Sequence, residues 1–238
     1  MAIALYIKKE PHVKTQRNTK YDRFFFAAIT TLGIFSMIFA LGPLLAWQIK
    51  TLPALSAKIN FQPVPDKQVL SATTTAGKSI EVIKDSDGFS YFTTDFKPQG
   101  KRPKDFLVSI PKLEIKAALV VVDSLKFEKS LSHFPGTALP GEVGNAFITG
   151  HSVLPQFNDP QNYRAIFTNL SKLEIGDSIE VEVEGNKFSY MVQYSKIVDP
   201  HDVSVLFPIS PNAKNLTLMS CVPPGTSSKR IIVVTSLL

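Results

Sequence analysis

The first part of the chain holds a long apolar stretch that carries no charge. Residues 24–49 contain no Asp, Glu, Lys or Arg. A helix rises about 1.5 Å per residue, so this stretch is long enough to cross a hydrocarbon layer of about 30 Å. The pattern predicts one transmembrane helix over residues 24–49, with Trp47 as an interfacial aromatic. A cleaved signal peptide and a buried core helix are the alternatives, but the stretch is too long for the former and too free of charge for the latter.

The polar and apolar pattern changes after the membrane stretch. Residues 50–104 contain five prolines and a polar run at 71–78, which together indicate a stalk or linker. Within it, the short runs Ile80–Ile83 and Phe89–Thr93 predict a small β-hairpin.

From about residue 105 the pattern is one of short β-branched runs bounded by Pro, Gly, Asn or Asp. The predicted strands are 106–110, 117–122, 145–149, 178–184, 188–198, 216–220 and 230–235. Gly185-Asn186 is predicted as a hairpin turn, and helical signals are brief, at 124–131 and 163–170. Frequent strands without long crossover helices predict a mainly β domain over 105–238, a closed β-barrel with short helices.

The charge distribution orients the chain and excludes one class of partner. The formal net charge is +6, and residues 1–23 hold six basic against two acidic residues. The positive-inside rule then places residues 1–23 in the cytoplasm and the rest of the chain outside the cell. The remaining excess is small and no nucleic-acid-binding motif is present, so binding to nucleic acid is not expected.

The single cysteine, Cys221, directly follows the apolar run of a predicted strand. One cysteine cannot form an intramolecular disulfide framework or a cysteine-rich zinc site. Two interpretations remain open: a buried cysteine that acts as a small apolar side chain, or a nucleophile. The second requires a nearby base or positive charge that favours the thiolate.

His151 and Arg230 are the candidates for these partners. His151 follows an apolar run that ends at Gly150, as expected for a polar side chain displayed at the rim of a barrel. His133 and His201 lie in loop-like segments, where a structural or exposed histidine is more common. Arg230 opens the last predicted strand, and pairing of that strand with 216–220 would bring it to Cys221. Its guanidinium could stabilise an oxyanion, or it could form a surface ion pair.

These residues resemble the motifs of the sortase family, the membrane-anchored cysteine transpeptidases of mainly Gram-positive bacteria. Thr217-Leu218-Met219-Ser220-Cys221 is similar to the family motif TLxTC, and an arginine follows at Arg230. The segment 133–145 is similar to the stretch that leads to the sortase histidine, here His151. Ser220 stands where the family usually has threonine, and Pro223-Pro224 differs from the pilin-polymerising branch, so the subclass stays open.

The resemblance implies a role for each matching residue. Cys221 would be the nucleophile, His151 the acid and base, and Arg230 the group that stabilises the transition state or positions the substrate. Thr217 and Ser220 would flank the nucleophile as substrate-binding residues. No cofactor is implied, and the spacing of acidic residues indicates no calcium loop.

The resemblance also implies a reaction. The enzyme would cleave an LPxTG-like sorting signal through a thioester acyl-enzyme and transfer the protein to an amine, from a cell-wall precursor or a pilin lysine. Two other functions remain open: a thiol protease of the same fold, and a membrane-tethered β-domain that binds partners without catalysis.

Overall fold

The computed structural model describes residues 19–59, 80–84, 90–95, 97 and 100–238. The chain divides into two units, Met1–Gly42 and Pro43–Leu238. Most of the expected cytoplasmic tail, residues 60–79 of the expected stalk and the side chain of Trp47 lie outside what is described.

A single long helix, α1, spans Thr19–Ile59. Its segment Arg23–Gly42 has a mean hydropathy of 2.2, and none of it is buried. Twenty helical residues extend about 30 Å. This segment is therefore long and apolar enough to cross a membrane, as the sequence predicts for the region.

The predicted hairpin is present. Strand β1 (Ile80–Lys84) pairs antiparallel with β2 (Ser90–Thr94), with Val82 opposite Phe92. Phe92 is 5% exposed, because its ring packs against Phe134 and Phe147, with centroids 6.3 and 6.2 Å away.

Eight further strands close into a barrel, which confirms the predicted mainly β fold class. They are β3 (Asp105–Ile110), β4 (Ile115–Val121), β5 (Leu131–His133), β6 (Gly144–Thr149), β7 (Ser178–Val183), β8 (Asn186–Val198), β9 (Lys214–Val222) and β10 (Lys229–Leu237). Their order around the barrel is β10-β8-β7-β3-β4-β5-β6-β9. The pairs β4–β5 and β6–β9 are parallel, and the others are antiparallel.

Alternate residues of β9 and β10 belong to two different hydrophobic clusters, because successive side chains of a strand point to opposite faces. Leu218 and Ile231 belong to the main core, inside the barrel. Met219 and Ile232 belong to a second cluster on the outer face, which includes Phe92 of the hairpin.

Three local predictions are wrong. No α-helix forms at 124–131 or 163–170: the first segment is irregular and leads into β5, and the second is a series of turns ending in a short 3₁₀ helix, Leu170–Lys172. The hairpin turn is Glu184-Gly185 rather than Gly185-Asn186, since Val183 pairs with Asn186. Both turn residues have positive φ, 47° and 81°, as a two-residue turn between twisted strands requires.

Candidate active site

Cys221 and Arg230 are directly opposite each other on β9 and β10. Side chains paired in this way point to the same face of the sheet, with Cβ atoms about 4.5–5.5 Å apart. That face is the outer one, since Cys221 is two residues after Met219 and Arg230 is two residues before Ile232. The structure therefore brings the predicted thiol and guanidinium together.

His151 is placed beside β9 by β6, the other strand that pairs with β9. Parallel pairing of β6 with β9 runs to Thr149 opposite Met219, and the Gly150 amide continues it by donating to the Met219 carbonyl at 3.2 Å. The Ser220 hydroxyl donates to the carbonyl of Gly150 at 2.9 Å, and the Ser152 hydroxyl donates to the carbonyl of Cys221 at 2.8 Å. The backbone of 150–152 is thus fastened on both sides of His151 to the strand that carries Cys221.

Gly150 allows the close packing that this arrangement needs. A Cβ at this position would lie 2.6 Å from both Leu131 Cδ2 and Phe167 Cδ2. Both neighbours are buried in the core, at 0% and 1% exposed, so they have little room to move. The absence of a side chain at Gly150 therefore lets the end of β6 pass close to the core immediately before His151.

The protonation of Cys221 and His151 reflects their burial. Burial raises the pKa of the Cys221 thiol, and the positive charge of Arg230 opposes this effect. Burial lowers the pKa of His151, the negative charge of Glu128 opposes it, and Arg164 adds to the lowering. Both shifts favour the neutral thiol and the neutral imidazole.

Arg230 is held by backbone carbonyls at the start of β10. It is 3% exposed, and its Nη1 donates to the carbonyls of Ser227 and Lys229 at 2.9 and 3.0 Å. This geometry differs from that of a solvent-exposed arginine at the surface. It leaves a fixed positive charge on the same face as Cys221.

Thr217 and Ser220, predicted to bind substrate, are each 2% exposed and have bonded hydroxyls. Ser220 holds Gly150, as described above, and the Thr217 hydroxyl donates to Asn145 Oδ1 at 2.7 Å. The Asn145 amide nitrogen in turn donates to the carbonyls of Val205 and Leu206, at 3.1 and 3.3 Å. Both hydroxyls thus make contacts within the protein: Ser220 bonds the residue before His151, and Thr217 bonds the asparagine that holds the loop between β8 and β9.

The two other described histidines have different surroundings. His133 is fully buried on β5, with Nε2 2.8 Å from the carbonyl oxygen of Ala138, and burial lowers its pKa to about 4. His201 is exposed, and its Nδ1 lies 2.9 Å from Asp199 Oδ1. These partners agree with the structural and exposed roles expected from their sequence contexts.

Several residues of the site were not identified from the sequence. The ring of Phe127 lies against His151, with centroids 4.3 Å apart. Ser152 and Asn145 stand in segments that carry the sortase resemblance, so their positions offered a signal, whereas Phe127 lies in an irregular loop far from His151 in sequence. Among the described residues, no group of three or more His, Cys, Asp or Glu side chains is arranged to hold a metal ion.

The chain is similar in sequence to known proteins. Sortase D of Bacillus subtilis is 27% identical over 142 residues, which cover 58% of this chain and 65% of the relative. Sortase SrtE1 of Streptomyces coelicolor is 29% identical over 144 residues, which cover 53% of this chain and 38% of the relative. The chain thus spans less than two thirds of the length of these relatives.

A solved structure to which the chain is similar is a lid mutant of sortase A from Corynebacterium diphtheriae, with 30% identity and a TM-score of 0.49. The match covers 59% of this chain and 73% of that one. The family described as the sortase domain matches residues 108–238, which is more than half of the chain. The chain therefore belongs to the sortase family.

Proposed function

We propose that this protein is a membrane-anchored sortase that cleaves an LPxTG-like sorting signal and transfers the cleaved protein to an amine. The observation that carries the proposal is the position of Cys221 between its two neighbouring strands. Arg230 faces it from β10, and the backbone around His151 is bonded to β9 on the other side. A nucleophile, an acid–base group and a positive charge are the components that acyl transfer requires.

In the first half of the proposed reaction, the Cys221 thiolate attacks the carbonyl carbon of the Thr–Gly bond. The carbonyl oxygen becomes an oxyanion, which the Arg230 guanidinium stabilises by donating hydrogen bonds. The C–N bond then breaks, and His151 gives its proton to the leaving amine. The acyl group remains on Cys221 as a thioester.

In the second half, an amine attacks the thioester carbonyl. The now neutral His151 accepts a proton from the incoming amine, and Arg230 again stabilises the oxyanion. The C–S bond breaks, an amide forms, and the thiolate of Cys221 and the imidazolium of His151 are restored.

The shifted pKa values make the reactive form of the site, the Cys221 thiolate with the His151 imidazolium, a minor one. Because burial raises the pKa of Cys221 and lowers that of His151, the resting site holds mainly a thiol and a neutral imidazole. The thiolate and imidazolium pair forms by transfer of one proton between them. Arg230 favours the thiolate, and Glu128 favours the imidazolium.

Thr217 and Ser220 support this site through hydrogen bonds to other residues of the protein. Ser220 fixes the carbonyl of Gly150, and Thr217 orients Asn145, which holds Val205 and Leu206. We assign the loop at 199–213, between β8 and β9, as a wall of the substrate groove.

The proposed layout places the reaction outside the cell. Residues 1–23 are cytoplasmic, 24–49 cross the membrane, 50–104 form the linker and 105–238 form the catalytic domain, against which the hairpin of the linker packs through Phe92. The basic residues before the apolar helix support this orientation. Tethering the enzyme to the membrane that also holds its substrate raises the effective concentration of each for the other.

The test uses the full chain in detergent micelles, mixed with a fluorescent LPxTG-type peptide and a glycine peptide as the amine. We expect an amide product joining the two peptides, a thioester adduct at Cys221 by mass spectrometry, and neither with Cys221→Ala. Release of the free acid alone would favour the thiol protease. Absence of any reaction, with equal peptide binding by wild type and Cys221→Ala, would favour the non-catalytic binding domain.

A further inference from the structure

Phe127 covers His151 from a loop that no step of the proposed reaction uses. The loop lies between β4 and β5, and the ring centroids of Phe127 and His151 are 4.3 Å apart with the planes inclined by 45°. Phe127 itself is partly buried. At this distance the phenyl ring limits the orientations that the imidazole can adopt and displaces water from it.

Bonds to the barrel hold the start of this loop in place. The Ser124 amide donates to the carbonyl of His133 at 3.0 Å, and the Ser132 hydroxyl donates to the carbonyl of Ser124. Asp123 forms an ion pair with Arg102, with Oδ2 and Nε 3.0 Å apart. Phe127 therefore projects from a segment whose beginning is anchored.

Charged and titratable groups reach His151 from each neighbouring element. Glu128, next to Phe127, favours the imidazolium, whereas Arg164 in the turns after residue 163 disfavours it. Cys221 and Arg230 face each other on β9 and β10, and β9 is the strand to which the backbone of 150–152 is bonded. The phenyl ring has no charge of its own, so its effect on His151 must come from contact and from exclusion of water.

We propose that Phe127 is a positioning residue, which holds the His151 imidazole in the plane needed to exchange a proton with Cys221 and the substrate amine. Its role in transfer rests on the proposed function, whereas its control of the imidazole does not. General acid–base catalysis depends on the proton donor being within hydrogen-bond reach in the correct orientation. A group that fixes the imidazole therefore acts on turnover more than on substrate binding.

The experiment compares Phe127→Ala, Phe127→Tyr and Phe127→Leu with Phe157→Ala in the full chain. Phe157 is 64% exposed and makes a matched control for loss of an aromatic ring. The histidine signals of isotope-labelled protein in micelles are followed by NMR against pH, with His151→Gln used to assign the His151 signal. The same samples are assayed for transfer, and their melting temperatures are recorded.

We expect Phe127→Ala to raise the pKa of His151 towards that of an ordinary histidine, since the ring contributes to its burial. Its kcat should fall on the order of 10-fold to 100-fold with little change in KM. Phe127→Tyr keeps the ring and should resemble wild type, as should Phe157→Ala. Phe127→Leu keeps apolar volume without the ring, so it should fold and still lose kcat.

The outcomes separate this proposal from the proposed function. If wild type gives no transfer but Phe127→Ala shifts the His151 titration, the contact is supported and the transpeptidase function fails. If wild type transfers and the Phe127→Ala and Phe127→Leu variants titrate and turn over as wild type does, the positioning role is wrong. A lower melting temperature with unchanged titration and kcat would also overturn it, because that result indicates a purely structural contact.

Discussion

The Ser152 hydroxyl donates a hydrogen bond to the backbone carbonyl of Cys221, at 2.8 Å. This bond joins the residue that follows the candidate acid–base group to the nucleophile itself. Removing it with Ser152→Ala should cost about 1 kcal/mol of stability, a typical value for one hydrogen bond. The substitution should lower kcat by more than the loss of stability alone would, because the backbone beside His151 is then bonded to β9 only through Gly150.

Thermal melting and steady-state transfer assays check the Ser152 prediction. Ser178→Ala is the control, since Ser178 is exposed at the start of β7. Equal kcat for the two variants would show that the bond does not position His151.

Arg230→Lys should lower kcat/KM by roughly 100-fold or more, the scale observed when one oxyanion donor is lost. Lysine keeps the positive charge, but it cannot reproduce the planar set of donors that a guanidinium offers. The control is Lys229→Ala, because Lys229 is exposed and pairs only with the exposed Asp199 among the described ion pairs. Transfer by Arg230→Lys at nearly the wild-type rate would refute the role assigned to the guanidinium.

The dependence of kcat/KM on pH should be bell-shaped with a wide plateau. The acid limb follows His151, whose pKa burial places below 6.5, and the alkaline limb follows Cys221, whose pKa burial places above 9.0. Activity needs the thiolate and the imidazolium together, so the rate falls below the first pKa and above the second.

Two substitutions should move the acid limb in opposite directions. Glu128→Gln removes a charge that raises the pKa of His151, so the limb should shift to lower pH; Arg164→Gln should shift it to higher pH. Rate profiles measured for both variants against wild type provide the check. Shifts in the same direction would contradict the assignment of this limb to His151.

Acid should destabilise the domain through His133. Burial lowers the pKa of this histidine from 6.5 to about 4, so the unfolded chain binds a proton that the folded chain does not. The stabilisation is complete above pH 6.5 and is lost as the pH falls from 6.5 to about 4, by about 3 kcal/mol in total. Denaturant unfolding over this range should show the loss in wild type and a smaller one in His133→Gln. The same loss in both would contradict this role of His133.

Thr217→Val should lower the melting temperature, and it should not raise KM while stability stays unchanged. Valine has a similar shape but cannot donate to Asn145 Oδ1, which would leave a buried acceptor unsatisfied at a cost of about 1–3 kcal/mol. A direct contact between Thr217 and the substrate predicts the reverse, a higher KM at unchanged stability. Melting curves together with KM measurements distinguish the two.

Much of the barrel was predictable because its strands are short, β-branched and separated by turn residues. Strand β5 was missed since it has only three residues. The apolar spacing at 163–170 is similar to that of a helix, but the segment buries Ala165, Ile166 and Phe167 through consecutive turns. Tertiary packing there overrides a pattern that short-range rules assign to a helix.

The site was predictable in part for a different reason. Cys221 and His151 come after predicted strands and Arg230 opens one, so their residue types and positions pointed to a common rim. The contact of Phe127 with His151 depends on the path of an irregular loop, which no local pattern encodes. The burial of Thr217 depends on the pairing of β6 with β9, two strands distant in sequence.

The aromatic contacts of Phe92 bear on where a water-soluble fragment of this protein should begin. Phe134 and Phe147 are 5% and 0% exposed with the hairpin in place. A fragment cut at Asp105 would present part of these rings to water, and uncovering a large apolar side chain costs about 1.5–3 kcal/mol if complete. Such a fragment would expose an apolar surface and tend to self-associate. A soluble fragment for crystallography or assays should therefore begin before Ile80.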